Sequence, residues 1–198
     1  MRILAALGAV AALSAGVGCD RASTAPTGPS APPGRQSTFL RFTSDPGDWV
    51  GQGRSRAVLP DPTARFGGDM WNDNNQLSFF VLTSGPGARD WGLLMQAPRG
   101  ERLTPGVYRN ARRIPAIGSN DPQLSFYGEQ RSCNESIGEF EVIEALYGPK
   151  PAGSGTSGTI ERFHARFTQA CDGSTALLRG EVFLTAIERG CKATGNCG

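Results

Sequence analysis

Residues 133–186 read CNESIGEFEVIEALYGPKPAGSGTSGTIERFHARFTQACDGSTALLRGEVFLTA. Within this stretch, apolar side chains recur at every second position in three runs. Side chains of a β-strand alternate between its two faces with the same period. The alternating residues are Phe140, Val142 and Leu146; Phe163, Ala165 and Phe167; and Leu178, Val182 and Leu184. The pattern predicts three antiparallel strands, each with one buried face.

Two connections set the expected register of these strands. Asp172-Gly173 favours a tight turn between the second and third strands, because both residue types tolerate a positive φ. A Pro/Gly/Ser loop over residues 148–158 joins the first two strands. If that loop is symmetric, Tyr147 lies opposite Thr159.

The same register brings Cys133 and Cys171 together at one end of the strand pair, within the distance that a disulfide needs. We therefore predict a Cys133–Cys171 disulfide. Cys191 and Cys197 remain as a second pair in the tail. A metal site is the alternative use of these cysteines, but their spacing is not C-x-x-C.

The rest of the chain continues the pattern of short apolar runs between turns, which contain many of its 27 Gly and 14 Pro. No window shows the three-to-four-residue apolar spacing of a long helix. We predict strands near residues 39–43, 54–59, 77–82, 91–95, 107–108 and 124–127, and a polar loop over 67–75. The fold class is all-β: a single antiparallel β-sandwich domain, jelly-roll-like.

The N-terminus resembles a bacterial lipoprotein leader. A positive start is followed by an apolar run over residues 3–17, too short to span a membrane and typical of an export signal. Gly16-Val17-Gly18-Cys19 resembles the lipobox, in which the cysteine receives the lipid, although that family usually has Leu where Gly16 stands. Ordinary signal-peptidase cleavage, with Cys19 incidental, is the alternative.

These features divide the chain into four parts. We predict a signal peptide over residues 1–18, lipidated Cys19 with a disordered Pro/Ser/Gly tether over 19–37, the β domain over 38–190 and a cysteine-containing tail over 191–198. The protein is expected to be exported and anchored by its lipid to a bacterial membrane, with the domain in the periplasm or at the cell surface. An oxidising compartment there permits both disulfides.

Composition narrows the function classes. The formal net charge is +2, with 20 Lys and Arg against 18 Asp and Glu, which does not favour a nucleic-acid partner. One His among 198 residues disfavours catalytic zinc, which usually has several imidazole ligands. No cofactor or metal is expected.

Three residues stand out as candidates for function. Trp49 and Trp71 lie beside loops, where exposed indole rings can stack on sugars, although such residues also fill cores. Glu144 shares the parity of Phe140 and Val142, so it is a candidate buried carboxylate unless a bulge intervenes. A buried carboxylate needs a partner such as arginine; the alternatives are a glutamate exposed at the rim and a catalytic acid.

Weaker patterns suggest other chemistry. The segment Asp69–Asn75 is rich in oxygen ligands that calcium would need, but it lacks the EF-hand order, and a loop that caps its own backbone is favoured. Asp45 with Asp48, or Asp73 with Glu144, could form the carboxylate pair of a glycosidase. His164 is expected on the surface of a basic strand face rather than as a general base.

Several segments together resemble a set of exported bacterial β domains of uncharacterised function. They are SDPGDWVGQG at 44–53, WGLLMQAP at 91–98, LTPGVY at 103–108 with Ala111 and Arg112, CN at 133–134, GxFxVxE at 138–144 and FxAxFxQxCDG at 163–173. The resemblance spans nearly the whole domain. It implies a β-sandwich, supports the pairing of Cys133 with Cys171, and implies no activity.

The sequence thus favours a non-enzymatic, lipid-anchored module that binds a glycan or an envelope protein. One alternative is a carbohydrate-active enzyme that uses paired carboxylates. The other is a purely structural envelope lipoprotein.

Overall fold

A computed structural model describes residues 37–150 and 152–185, and over these residues the chain is all-β, as predicted. The strands are β1 (Phe39–Ser44), β2 (Ser55–Val58), β3 (Ala64–Trp71), β4 (Gln76–Thr83), β5 (Trp91–Gln96), β6 (Gly106–Arg112), β7 (Gln123–Gly128), β8 (Ser136–Gly148), β9 (Thr159–Cys171) and β10 (Leu177–Thr185). The predicted signal peptide, Cys19, most of the tether and the Cys191–Cys197 pair lie outside the described residues.

The ten strands form one sheet, in the order β2-β1-β10-β9-β8-β6-β7-β5-β4-β3. The sheet nearly closes into a barrel, because Met70 of β3 forms a bridge with Gly158 and its carbonyl accepts from the Ser157 amide at 2.7 Å. The predicted sandwich of two packed sheets is therefore corrected to one continuous sheet. The reason is β6, which pairs with both β7 and β8 and so continues the hydrogen bonding where a sandwich would divide.

Aromatic side chains fill one end of the interior. Phe126 lies at its centre, with its ring centroid 5.3 Å from Phe42, 5.5 Å from Trp91 and 5.1 Å from Phe167. Val50, in the loop between β1 and β2, is fully buried at the same cluster, whereas its neighbour Trp49 is exposed. Each such buried side chain stabilises the fold by roughly 1.5–3 kcal/mol.

The segment that opened the sequence analysis forms β8, β9 and β10, as predicted. Cys133 and Cys171 are joined by a disulfide, with their Cα atoms 5.0 Å apart. Asp172 and Gly173 both have positive φ, 52° and 73°. The register differs by one residue from the expectation, because Tyr147 pairs with Ile160 rather than Thr159.

Glu144 lies at the surface, because the bulge that would exempt it from burial is present in β8. The register of β8 against β9 shifts between Val142 and Glu144 and again after Leu146, so the alternation of faces is interrupted. Beyond the first shift, Ala145 and Tyr147 pack against the core, and Leu146 is exposed.

The Glu144 side chain is 38% exposed and forms an ion pair with Arg162 at 3.1 Å. The arginine partner that we expected is therefore present. It serves a carboxylate at the surface rather than one in the core.

Candidate functional site

The outer face of β3, β4, β5 and β7 carries an unusual cross-strand row. Direct pairing places Gly67 opposite Phe80, Phe80 opposite Gly92, and Gly92 opposite Tyr127. Glycine and an aromatic residue thus alternate across four neighbouring strands. We call these four residues the aromatic row.

Each glycine of the aromatic row lies beneath the ring of a paired residue. A Cβ atom built on Gly67 would lie 2.1 Å from Cζ of Phe80, and one on Gly92 would lie 2.2 Å from Cζ of Tyr127. Both distances are far below van der Waals contact, so the rings occupy the space that side chains at these glycines would need. The rings therefore cover the backbone and turn their other faces outward, and Tyr127 is 38% exposed.

The spacing of the two rings follows from the sheet. Phe80 and Tyr127 are two strands apart, which corresponds to about 10 Å across the hydrogen-bonding direction. Each ring is displaced toward its glycine, Phe80 toward β3 and Tyr127 toward β5, so the separation is preserved. Two outward-facing rings at this separation can each contact one sugar of a short saccharide chain.

Polar side chains complete this face. The second row, which we call the amide row, consists of Trp71, Gln76, Gln96 and Gln123. Between the two rows lie Asp69, Ser78, Leu94 and Ser125. Gln123 is buried and accepts from the Ala116 amide at 3.1 Å, and Ser125 accepts from the Ile114 amide at 3.0 Å. Gln76, Gln96 and Ser78 are partly exposed, and their amide and hydroxyl groups can both donate and accept hydrogen bonds, which suits a ligand that carries many hydroxyls.

An open cavity lies at each end of the face. The first has a volume of about 650 Å³, and its lining includes Phe80, Leu82, Tyr127, Arg89 and Arg131. The second has a volume of about 720 Å³, and its lining includes Asn72, Gln96, Arg102, Gln123 and Ser157. Since members of the aromatic row line one cavity and members of the amide row line the other, both cavities open on the same face.

The two tryptophans predicted as ligand-binding residues lie toward the two ends of this face. Trp71 is the last residue of β3, belongs to the amide row and is 39% exposed. Trp49 is 53% exposed, and the Arg131 guanidinium lies 5.6 Å from the centroid of its ring. Arg131 lines the first cavity, so Trp49 is adjacent to it.

The segment Asp69–Asn75 forms the end of β3 and the turn after it, and its Asn75 side chain bonds the backbone of the next loop rather than its own. Asp69 lies within β3, and the three residues that follow Trp71 all have positive φ. The Asn75 side-chain amide donates to the carbonyl oxygens of Ala97 at 3.1 Å and Glu101 at 2.6 Å, which fastens the turn to the next loop. Within residues 37–150 and 152–185, no group of three or more His, Cys, Asp or Glu could hold a metal ion.

Three of the four carboxylates predicted as glycosidase candidates have separate partners. Asp45 accepts from Arg179 at 2.7 Å, and Asp48 accepts from the Gly51 amide at 2.5 Å. Glu144 pairs with Arg162. Burial raises the pKa of Asp48, although backbone hydrogen bonds oppose that effect.

His164 is less exposed than predicted. It lies on the outer face of β9, but its side chain is only 16% exposed and is 2.7 Å from Oε1 of Glu181. Burial raises the pKa of Glu181, but hydrogen bonds from His164 and Arg41 and the charge of Arg166 outweigh it, so the pKa lies below its ordinary value. The arrangement is that of an ion-paired cluster that joins β1, β10 and β9.

A larger cavity, about 1000 Å³, lies elsewhere, on the outer side of β6 and β8. Its lining includes Arg109, Arg112 and Arg113 together with Glu135 and Glu139, so it carries charges of both signs. The cavity beside the aromatic row instead combines partly exposed rings with arginines.

No family model, curated protein or solved structure matches this chain. In the part of the chain that the structure describes, no helix is long and apolar enough to cross a membrane.

Proposed function

We propose that this protein is an exported, lipid-anchored, non-enzymatic module that binds saccharide chains of the bacterial envelope. The observation that carries the proposal is the aromatic row, in which Gly67 and Gly92 let the rings of Phe80 and Tyr127 lie over the sheet with their faces outward. Aromatic faces bind the apolar C–H faces of sugars, while the neighbouring amides serve the hydroxyls.

Export is supported by the disulfide and by the leader. Disulfides persist in oxidising compartments and are rare in the cytosol. The Cys133–Cys171 bridge is buried, with its cysteines 4% and 3% exposed. Together with the lipobox-like residues that end at Cys19, it favours a domain held outside the cytoplasmic membrane.

Changing Cys19→Ser is expected to abolish lipid attachment, because the serine hydroxyl does not accept the lipid. The variant should then either appear in the soluble fraction or stay in the membrane fraction with an uncleaved leader, which changes its mass. Fractionation and intact mass of the mature protein measure both. An unchanged membrane fraction with an unchanged mass would contradict lipid anchoring.

Changing Tyr127→Leu is expected to weaken saccharide binding roughly 3- to 10-fold, because one stacking face is lost. Gly92→Ala is expected to weaken binding as well, although it leaves the tyrosine chemically intact. The added Cβ would lie 2.2 Å from Cζ of Tyr127, so the ring must lift off the sheet. A glycan array followed by calorimetry on the strongest binder measures both.

Phe39→Leu is the matched control, because Phe39 is an aromatic residue on the far side of the sheet, opposite Phe183 in β10. It should leave the affinity unchanged. Equal weakening by Phe39→Leu and Tyr127→Leu would contradict the site. Release of shorter fragments from the bound saccharide would contradict the non-enzymatic part of the proposal and favour the carbohydrate-active alternative.

A further inference from the structure

Three arginines converge on one buried carboxylate beside the aromatic row. Oε2 of Glu129 lies 2.7 Å from Arg54, 2.8 Å from Arg89 and 3.9 Å from Arg131. The arginines come from the β1–β2 loop, the β4–β5 loop and the residue two positions after Glu129. We call these three arginines with Glu129 the arginine rim.

The turn that presents Glu129 is strained. Glu129 and Gln130 have φ of 50° and 62°, and they form a two-residue turn in which Gly128 and Arg131 exchange both backbone hydrogen bonds. Such turns favour Asn-Gly, because the left-handed conformation is unfavourable for a longer side chain. The contacts of Glu129 with the arginines offset this cost, so the arginine rim is held in place before any ligand arrives.

Positive charge is in excess at the arginine rim. Its three guanidiniums face two carboxylates, that of Glu129 and that of Asp90, whose Oδ1 accepts from the Thr83 amide at 3.0 Å. The side chain of Glu129 is 5% exposed, whereas those of Arg54, Arg89 and Arg131 are 30%, 45% and 30% exposed. The carboxylate is thus covered, and the guanidiniums keep donors at the surface.

The arginine rim and the aromatic row share one cavity. Arg89 and Arg131 line the same cavity of about 650 Å³ as Phe80 and Tyr127. Arginine binds carboxylates through two parallel N–H groups, a geometry that neutral hydroxyls do not match. An anionic group beside a sugar ring stacked on Tyr127 would reach these donors.

We infer that the saccharide bound on the aromatic row is acidic, and that its anionic group accepts hydrogen bonds from Arg89 and Arg131. The inference rests on the proposed function and adds the chemical class of the ligand. The rings select a saccharide by shape, and the arginine rim selects the charged members of that class. Glu129 acts as a positioning residue, because it holds the three guanidiniums together from beneath.

The test uses an array of saccharides that includes matched pairs, such as cello-oligosaccharides and the cellouronate oligosaccharides that differ from them only by a carboxylate at C6. The wild-type full chain is expected to bind acidic members more tightly than their neutral counterparts, and rising salt should weaken that binding. Arg89→Gln should weaken binding of the acidic members about tenfold or more, since a charge-assisted hydrogen bond is lost. Arg89→Lys should give intermediate affinity, because it keeps the charge without the planar fork.

Arg109→Gln removes the same charge from an exposed position of β6 and should leave the affinity unchanged. Thermal unfolding of each variant separates loss of fold from loss of binding. Equal binding of neutral and acidic members, with the sensitivity to Tyr127→Leu retained, would overturn the acidic class and leave saccharide binding standing. Absence of all saccharide binding, or binding of an envelope protein alone, would overturn both proposals.

Discussion

Replacing Cys133 and Cys171 together by alanine is expected to lower the free energy of unfolding by about 4 kcal/mol. The bridge joins residues 38 positions apart and encloses β8, the long loop and β9. Without it, the unfolded chain regains the freedom of that loop, which favours unfolding. Both cysteines are buried, so the alanine variant also leaves a small cavity.

Equilibrium urea unfolding of the full-length wild type and the double variant, without reductant, measures this effect. Both proteins keep the other three of the five cysteines, so the difference between their free energies of unfolding reports the Cys133–Cys171 bridge alone. The Gln169 amide, which donates to Cys133 Sγ at 3.1 Å, also bonds the Phe126 carbonyl at 3.0 Å, so most of the surrounding network stays intact. A difference below about 1 kcal/mol would show that the bridge closes a loop already ordered in the unfolded state.

The expected loss of unfolding free energy is relevant to whether the domain folds in an oxidising compartment. Domains typically unfold with a free energy of only 5–15 kcal/mol, so about 4 kcal/mol is a large share. A chain that depends on one buried bridge to this extent folds best where thiols oxidise. A measured loss of this size would therefore support the proposal of export, independently of the leader sequence.

The central strands could be predicted because their pattern is local. Leu178, Val182 and Leu184 alternate in sequence and are all fully buried in β10. The disulfide could also be predicted, because an approximate register of the two strands is enough to bring its cysteines together. The register differs by one residue because the β8–β9 loop is not symmetric about its centre: Gly148, rather than Tyr147, pairs with Thr159.

The candidate site could not be predicted, and the reason lies in β3. Residues 67–75 were expected to form a polar loop because Gly67, Gly68 and Asp69 weaken any strand pattern. Gly67 is required by the ring of Phe80, and a Cβ on Gly68 would lie 3.1 Å from side-chain atoms of Ile160 and Leu184 in the core. These contacts of Gly67 and Gly68 are apparent only once the register of the neighbouring strands is known. Local sequence does not specify that register.

One local signal of the site is present in the sequence. An isolated glycine in a strand often marks a close approach by another group. Gly92 stands inside the predicted strand at 91–95, between Trp91 and Leu93, and in the structure the ring of Tyr127 covers it.

Changing Phe126→Ala is expected to lower the free energy of unfolding by about 3–5 kcal/mol. The ring contacts Phe42, Trp91 and Phe167, so its loss leaves a cavity at the centre of the aromatic cluster. The Phe126 backbone keeps its hydrogen bonds to the Gln169 side chain, at 2.8 Å from N and 3.0 Å from O, so the change removes packing alone. Phe126→Leu, which keeps most of the volume, should cost below about 1.5 kcal/mol.

The Phe126→Ala change should also affect the candidate site, because it frees the side chain of Trp91. Its ring stacks on Phe126 with an interplanar angle of 9°, and a Cβ on Gly128 would lie 2.1 Å from its Cε3 atom. Gly128 begins the strained turn that presents Glu129, so a Trp91 ring free to shift removes the support beneath the arginine rim. Below the unfolding temperature, Phe126→Ala should therefore weaken acidic saccharide binding more than Phe126→Leu does, as measured by calorimetry with urea unfolding on the same samples. Loss of stability with unchanged affinity would mean that the arginine contacts alone hold the turn, independently of the core.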